Sequence, residues 1–355
     1  MSMILLGQVS WSIAWVSILL LAVVSAEDNS FQPYQLNGGL VTAVAAKDFV
    51  VIASDTRFAG DGGYDIVSRQ HVESRLWMAS TDAQPLSLIR RKQPPSTSAF
   101  LPRPTNPERK DQEDDEDSDH SLGVTTLRSF VLPSAPTFIG SAGCNADCEA
   151  LKRHVQADLR SAIYFGECSS SSIVNTSGGG ASPQAYYPPV DQVATLLSQM
   201  LFGRRGFPFY SFCIVAGMSS ASDCEDDLND SDNVGGKVYG YDAIGSYEQV
   251  AVACAGTGRE LLQPILDGQF SSKLRTQTVG QGGMATTTST TVPTQVDCTA
   301  REAIAILIDA YRSVSEREIG VGDSMVICLV ERKKRGQQQD EVVECRILTA
   351  PLKTH

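Results

Sequence analysis

The chain has 355 residues, 42% hydrophobic and 20% charged, so it carries enough apolar material for a buried core and is not disordered throughout. A net charge of −12 with no concentrated basic stretch excludes a nucleic-acid-binding surface. The excess charge is local, in two acidic runs at Asp111–Asp119 and Asp223–Asp232 that read as solvated loops.

Met3 to Ala26 is apolar and nearly uncharged, and Val24-Ser25-Ala26 is like a signal-peptidase site, but no Lys or Arg precedes the apolar run. The segment reads as an apolar leader, either signal-like or spurious. Residues 36 to 54 predict a hairpin, with LVTAVAA and FVVIAS turning at Lys47-Asp48. Tyr64 to Ala79 reads as a further extended stretch. From Thr81 to Arg128 the composition shifts to Pro, Ser, Arg and acids, too poor in apolar surface to offset ordering entropy, and predicts a disordered insertion.

Order resumes at Thr137. A helix is expected from Ala146 to Phe165, with Leu151, Val155, Leu159 and Ile163 at four-residue spacing. Ser169 to Gln184 is a Ser/Gly loop. Pro188-Pro189 opens a second helix, Val190 to Arg205, with Val193, Leu196, Leu197, Met200 and Leu201 on its apolar face. Phe209 to Gly217 predicts a strand, and Lys237–Tyr241 with Gln249–Ala255 a hairpin around Asp242 to Ser246. A third helix is expected over Arg259–Asp267 and a Gly/Thr insertion over Gly280–Gln295. A fourth helix, Thr299 to Arg317, turns Ala303, Ile306, Leu307, Ala310 and Val314 inward. Ser324–Glu331 and Val342–Leu348 close the chain as strands. Hairpin-like strand pairs separated by helix pairs point to two antiparallel sheets covered by helices on both outer faces. The ordered core, about two hundred residues, has the size of one domain.

Nine cysteines lack framework spacing. Cys144 and Cys148 are the only close pair, with no second pair or His at zinc-finger distance, and read as buried thiols. His71 and His154 have no partner placed by sequence and read as surface or core residues. No metal or cofactor is expected.

Asn37-Gly38-Gly39 followed by a hairpin ending Ala53-Ser54-Asp55-Thr56-Arg57 resembles the opening of the beta-type subunits of the 20S proteasome. Later segments fall in the same order: Phe138-Ile139-Gly140-Ser141-Ala142-Gly143, Arg204 to Tyr210, Tyr241 to Tyr247, and Ser315 to Glu318 leading to Gly322-Asp323. The leader Phe31-Gln32-Pro33-Tyr34, the Arg204-Arg205-Gly206-Phe207-Pro208 run and Leu262-Gln263-Pro264 resemble the beta type-1 branch. The resemblance implies an α+β fold, the four-layer αββα sandwich of the N-terminal nucleophile hydrolases. It implies a beta-subunit domain over 39–348 after a pro-segment at 27–38, insertions near 81–128, 169–186, 219–235 and 279–297, and a C-terminal tail at 349–355.

Such enzymes attack with the side chain of the first mature residue while its α-amine serves as base. Counting back from Asp55, which matches the family carboxylate, that position is Gly39, which has no side chain. The family's catalytic Lys falls near Ser74, its Ser in the second glycine turn at Arg259, its late Asp at Glu318 and that residue's Ser partner at Val321. No catalytic residue is therefore expected, because loss of the nucleophile cannot be compensated by the others. Thr42, the only hydroxyl nearby, reads as a strand residue.

The resemblance implies a structural, non-catalytic subunit that helps close a seven-membered beta ring and shape a chamber for ATP- and ubiquitin-dependent degradation of unfolded proteins. Its expected partners are other alpha and beta subunits, in cytoplasm and nucleus, with no nucleic acid and no membrane. The alternatives are an active threonine-type hydrolase of the same fold, or a secreted or membrane-anchored protein reusing it. The sequons at Asn175 and Asn229 bear on the latter.

Overall fold

The computed structural model describes residues 34–60, 65–72, 75–80, 123–132, 135–164, 187–219, 235–275, 293–335 and 340–352. The chain divides into Met1–Gln35, of which residues 34 and 35 are described, and Leu36–His355, which holds every element below. The apolar leader, most of the expected pro-segment, the Ser/Gly loop and Phe165 lie outside the described residues, as does the Ile163 side chain.

Strand β1 (Leu40–Ala45) turns back into β2 (Phe49–Asp55) in antiparallel register, Val41 opposite Ser54. Both strands are buried on both faces, which explains their nearly unbroken apolar sequence. Short strands β3 (Phe58–Ala59) and β4 (Ile66–Ser68) pair, and β5 (Leu76–Met78) follows, so the extended stretch expected over Tyr64–Ala79 is two short strands in two sheets. Then come β6 (Thr125–Leu132) and β7 (Thr137–Gly143), helix α1 (Asn145–Tyr164) and helix α2 (Val190–Gly203). Next are β8 (Ser211–Ser219), β9 (Gly235–Tyr241), β10 (Tyr247–Val250) and β11 (Val252–Gly256). Helix α3 (Arg259–Phe270) precedes the small pair β12 (Leu274–Arg275) and β13 (Gln295–Val296). Helix α4 (Ala300–Ser315) and the hairpin β14 (Ser324–Arg335) and β15 (Asp340–Pro351) complete the chain.

A six-stranded antiparallel sheet runs β11-β1-β2-β14-β15-β6 and a five-stranded one β10-β9-β8-β7-β5. Val41, Ala43, Val50 and Ile52 face the second sheet, in one core with Phe138, Ile139, Val215 and the inward faces of α1 and α2. Leu40, Val44, Val51 and Ala53 face the other way, onto Leu262, Leu266, Leu307 and Val314 of α3 and α4. The result is the expected α+β sandwich of four layers: two helices, two sheets, two helices. Each such buried Leu or Val contributes about 1.5–3 kcal/mol. Helix α4 starts where a capping box predicts, since Thr299 accepts a hydrogen bond from the Glu302 amide.

Several boundaries are corrected. The insertion expected over 81–128 ends earlier, because Thr125–Leu132 forms strand β6 on the edge of β15. Its side chains are largely exposed, so period and burial gave no sign of it. Ser219 and Gly235 belong to strands, as do Gln295–Val296, so the insertions near 219–235 and 279–297 are shorter. The expected strand Gln249–Ala255 breaks at Ala251, where the chain leaves one sheet edge and joins the other. Residues 349–351 are strand rather than tail, since β15 pairs with β14 along its whole length.

Candidate functional site

The glycines that precede β1 meet the end of β2 where Asp55 turns inward. The Asp55 carboxylate is wholly buried. Its Oδ1 accepts from the Leu40 amide at 2.9 Å and from Arg75 Nη1 at 2.7 Å, and its Oδ2 accepts from the amides of Arg57 and Gly322, each at 3.2 Å. Burial pushes its pKa up, opposed first by the Arg75 guanidinium and then by the three amides. Arg75 stands immediately before β5, and its Nη2 also donates to the Asn37 carbonyl at 3.2 Å. Ser74, where the family's Lys was expected, lies outside the described residues. The cation beside Asp55 is the guanidinium of Arg75, and backbone amides fill the rest of its carboxylate.

Gly39 sits beneath that guanidinium. Its amide donates to Gly320 O at 3.1 Å, and its carbonyl accepts from the Thr257 amide at 3.0 Å. Its φ of +100° lies where L side chains rarely go, and a Cβ there would fall 2.3 Å from Arg75 Cζ and 2.5 Å from Nε. The space lined by Asn37, Gly38, Phe58, Arg75, Ser141 and Cys148 measures about 10 Å³, room for about one water.

Asn37 shapes the approach. Its amide donates to Gly143 O, its Nδ2 donates to Ala59 O at 3.1 Å, and its Oδ1 accepts from the Asn145 amide at the start of α1 at 2.8 Å. On the far side of Asp55, Arg57 is fully buried and grips Asp323 with Nε at 3.0 Å and Nη2 at 3.2 Å. Arg69 Nη1 adds a third contact to that carboxylate at 2.6 Å. Asp323 holds φ at +66°, the one positive value at a non-glycine residue among the described residues, fixed by this paired guanidinium.

The other positions singled out by sequence are dispersed. Thr42 is buried in β1, donating toward Cys254 Sγ at 3.6 Å and accepting from Tyr311 OH at 3.1 Å. Arg259 is exposed at the start of α3, outside the Asp55–Arg75 cluster. Glu318 Oε1 accepts from the Gly320 amide, and Val321 is buried against the α4 core. His71 Nε2 lies 3.1 Å from Asn145 Oδ1 with its ring beside Phe58, and His154 Nδ1 lies 2.6 Å from Ala150 O. Cys144 and Cys148 are buried free thiols, the latter 3.3 Å from Ser211 Oγ. Among the described residues no three His, Cys, Asp or Glu side chains are grouped to hold a metal. Sequence reasoning missed Asn37 and Arg75. The signal available for Arg75 was its place just before the apolar strand Leu76-Trp77-Met78.

No family model matches the chain. It is 24% identical over 306 residues to proteasome subunit beta type-1 of Danio rerio, covering 86% of each chain. It is 26% identical over 303 residues to proteasome subunit beta type-1 of Drosophila melanogaster, covering 85% of this chain and 86% of the relative. The protein of that name from Dictyostelium discoideum is 25% identical over 302 residues, 85% of each. These likenesses, each over about 85% of the chain, support a proteasome beta-type subunit.

Proposed function

We propose that this beta-type subunit performs no peptide hydrolysis itself and serves as a structural member of the proteasome core, closing the beta ring and walling the chamber in which unfolded proteins are degraded. The observation that carries this is Gly39: the position of the family nucleophile has no side chain, and the volume such a side chain needs is filled by Arg75. A Thr there would have to displace a buried ion pair before it could react. On this reading the partners are neighbouring alpha and beta subunits, and the place of action is cytoplasm and nucleus.

The test is mass spectrometry of core particles purified from the source organism and treated with a threonine-directed epoxyketone. The expected result is this chain within the particle, beginning at a residue before Gly39 and unlabelled. Epoxyketone adducts on this chain, or its absence from the particle and recovery in a glycosylated secreted fraction, would overturn the proposal.

A further inference from the structure

The two sheets end together on one side of the molecule. There β10 is the outer strand of the five-stranded sheet and β11 that of the six-stranded sheet, joined through Ala251. Between them and helix α3 opens a cleft of about 780 Å³, far larger than the space beside Gly39. Its interior includes Ile214, Cys254 and Phe270, and its mouth carries Asp242, Glu248 and Asp267 against one cation, Arg259.

Strand β11 presents its unpaired edge here. The Ala251 carbonyl accepts from Ala45 and the Thr257 amide donates to the Gly39 carbonyl. In an antiparallel ladder such bonding residues alternate, so residues 251, 253, 255 and 257 bond to β1 while Val252 and Cys254 aim their N–H and C=O the other way. Among the described residues no strand pairs with that edge. A polypeptide added there would lie about 4.8 Å from β11 and advance about 3.3 Å per residue, bonding to the peptide groups of Val252 and Cys254.

We propose that this cleft receives an extended basic segment of another polypeptide, added as a further antiparallel strand on β11. The main-chain bonds supply attachment without regard to sequence, and the side chains supply selection. Side chains alternate along a strand, so one set turns to the apolar interior and is small or apolar. The mouth carboxylates favour Lys or Arg, since they outnumber the single guanidinium. Asp242 Oδ1 accepts from two amides of its own turn, Ile244 and Ser246, whereas Asp267 accepts one bond, from Gln263 Nε2 at 2.8 Å, so Glu248 and Asp267 keep more of their accepting capacity and are the discriminating charges. The inference stands independently of the catalytic status of Gly39.

The experiment uses the full chain and two labelled, end-blocked heptapeptides of alternating Lys and Val, or Glu and Val, followed by fluorescence anisotropy at physiological salt. The Lys peptide is expected to bind at least about tenfold tighter than the Glu peptide, and Glu248→Lys with Asp267→Lys to remove about that factor. Both acids are exposed, so the double variant keeps its fold. Val252→Pro deletes an outward N–H without touching the β1 ladder, and is expected to abolish binding while leaving the circular dichroism spectrum unchanged. Hydrogen exchange is expected to slow at the Val252 and Cys254 amides on peptide addition. Equal binding of both peptides, absence of binding, or protection of neither amide would overturn the proposal.

Discussion

Asn37 caps helix α1 from 108 residues away: its Oδ1 accepts the Asn145 amide at 2.8 Å while its Nδ2 reaches the Ala59 carbonyl. An orphan amide of the helix and the Ala59 carbonyl are thereby satisfied by one side chain. Asn37→Ala is expected to cost about 1–3 kcal/mol. Hydrogen exchange checks it: the Asn145 amide and the first turn of α1 should lose protection before the rest of the helix.

Arg75 fills the volume a side chain at position 39 would need. Gly39→Thr is therefore expected to destabilise by about 2–4 kcal/mol, through left-handed backbone strain and displacement of the guanidinium. Denaturant titration would measure it. Fluorogenic peptides should show no gain of hydrolysis, since Arg75 stands where the new hydroxyl would have to go.

The Asp55–Arg75 pair is buried on both sides. Arg75→Met leaves a carboxylate with no cation and is expected to cost about 3–5 kcal/mol. Arg75→Lys should cost less, since one ammonium can still reach Asp55 but gives up the simultaneous bond to the Asn37 carbonyl. Equal losses in the two variants would show that shape rather than charge matters at this position.

Burial raises the thiols of Cys213, Cys254 and Cys345 to about 12. At pH 8 roughly one part in ten thousand of each is thiolate, the form that alkylates. Iodoacetamide is expected to leave all three unlabelled in the native protein and to modify them on unfolding. Mass spectrometry of the peptides reads the result, and native labelling of Cys213 would contradict the packed arrangement around Ser211.

The hairpin Leu40–Asp55 and helix α4 were legible because their residues satisfy local rules: β-branched runs around Lys47-Asp48, and the apolar period Ala303, Ile306, Leu307, Ala310 and Val314. Strand β6 was not, since its largely exposed residues show no clean alternation and are held by main-chain pairing to β15, a partner more than two hundred residues away. The site divided in the same way. Gly39 and Asp55 could be counted from one motif, whereas Arg75 and Asn37 acquire their roles from three-dimensional neighbours that no spacing encodes. The break at Ala251 was equally hidden, because both halves of Gln249–Ala255 are strand and only the sheet they join differs.

The place of the first hairpin in its sheet bears on how the chain is made. β1 lies between β2 and β11, and β2 between β1 and β14, so each waits for a neighbour encoded far downstream. At roughly 5–20 residues per second, a ribosome needs about fifteen seconds to a minute to travel from Asp55 to Ser324. Throughout that interval the nascent hairpin offers apolar faces and unpaired edges to the solvent. The segment that folds around Gly39 is thus among the first synthesised and the last enclosed, and a chaperone that shields strand edges would act on this protein while it is still being translated.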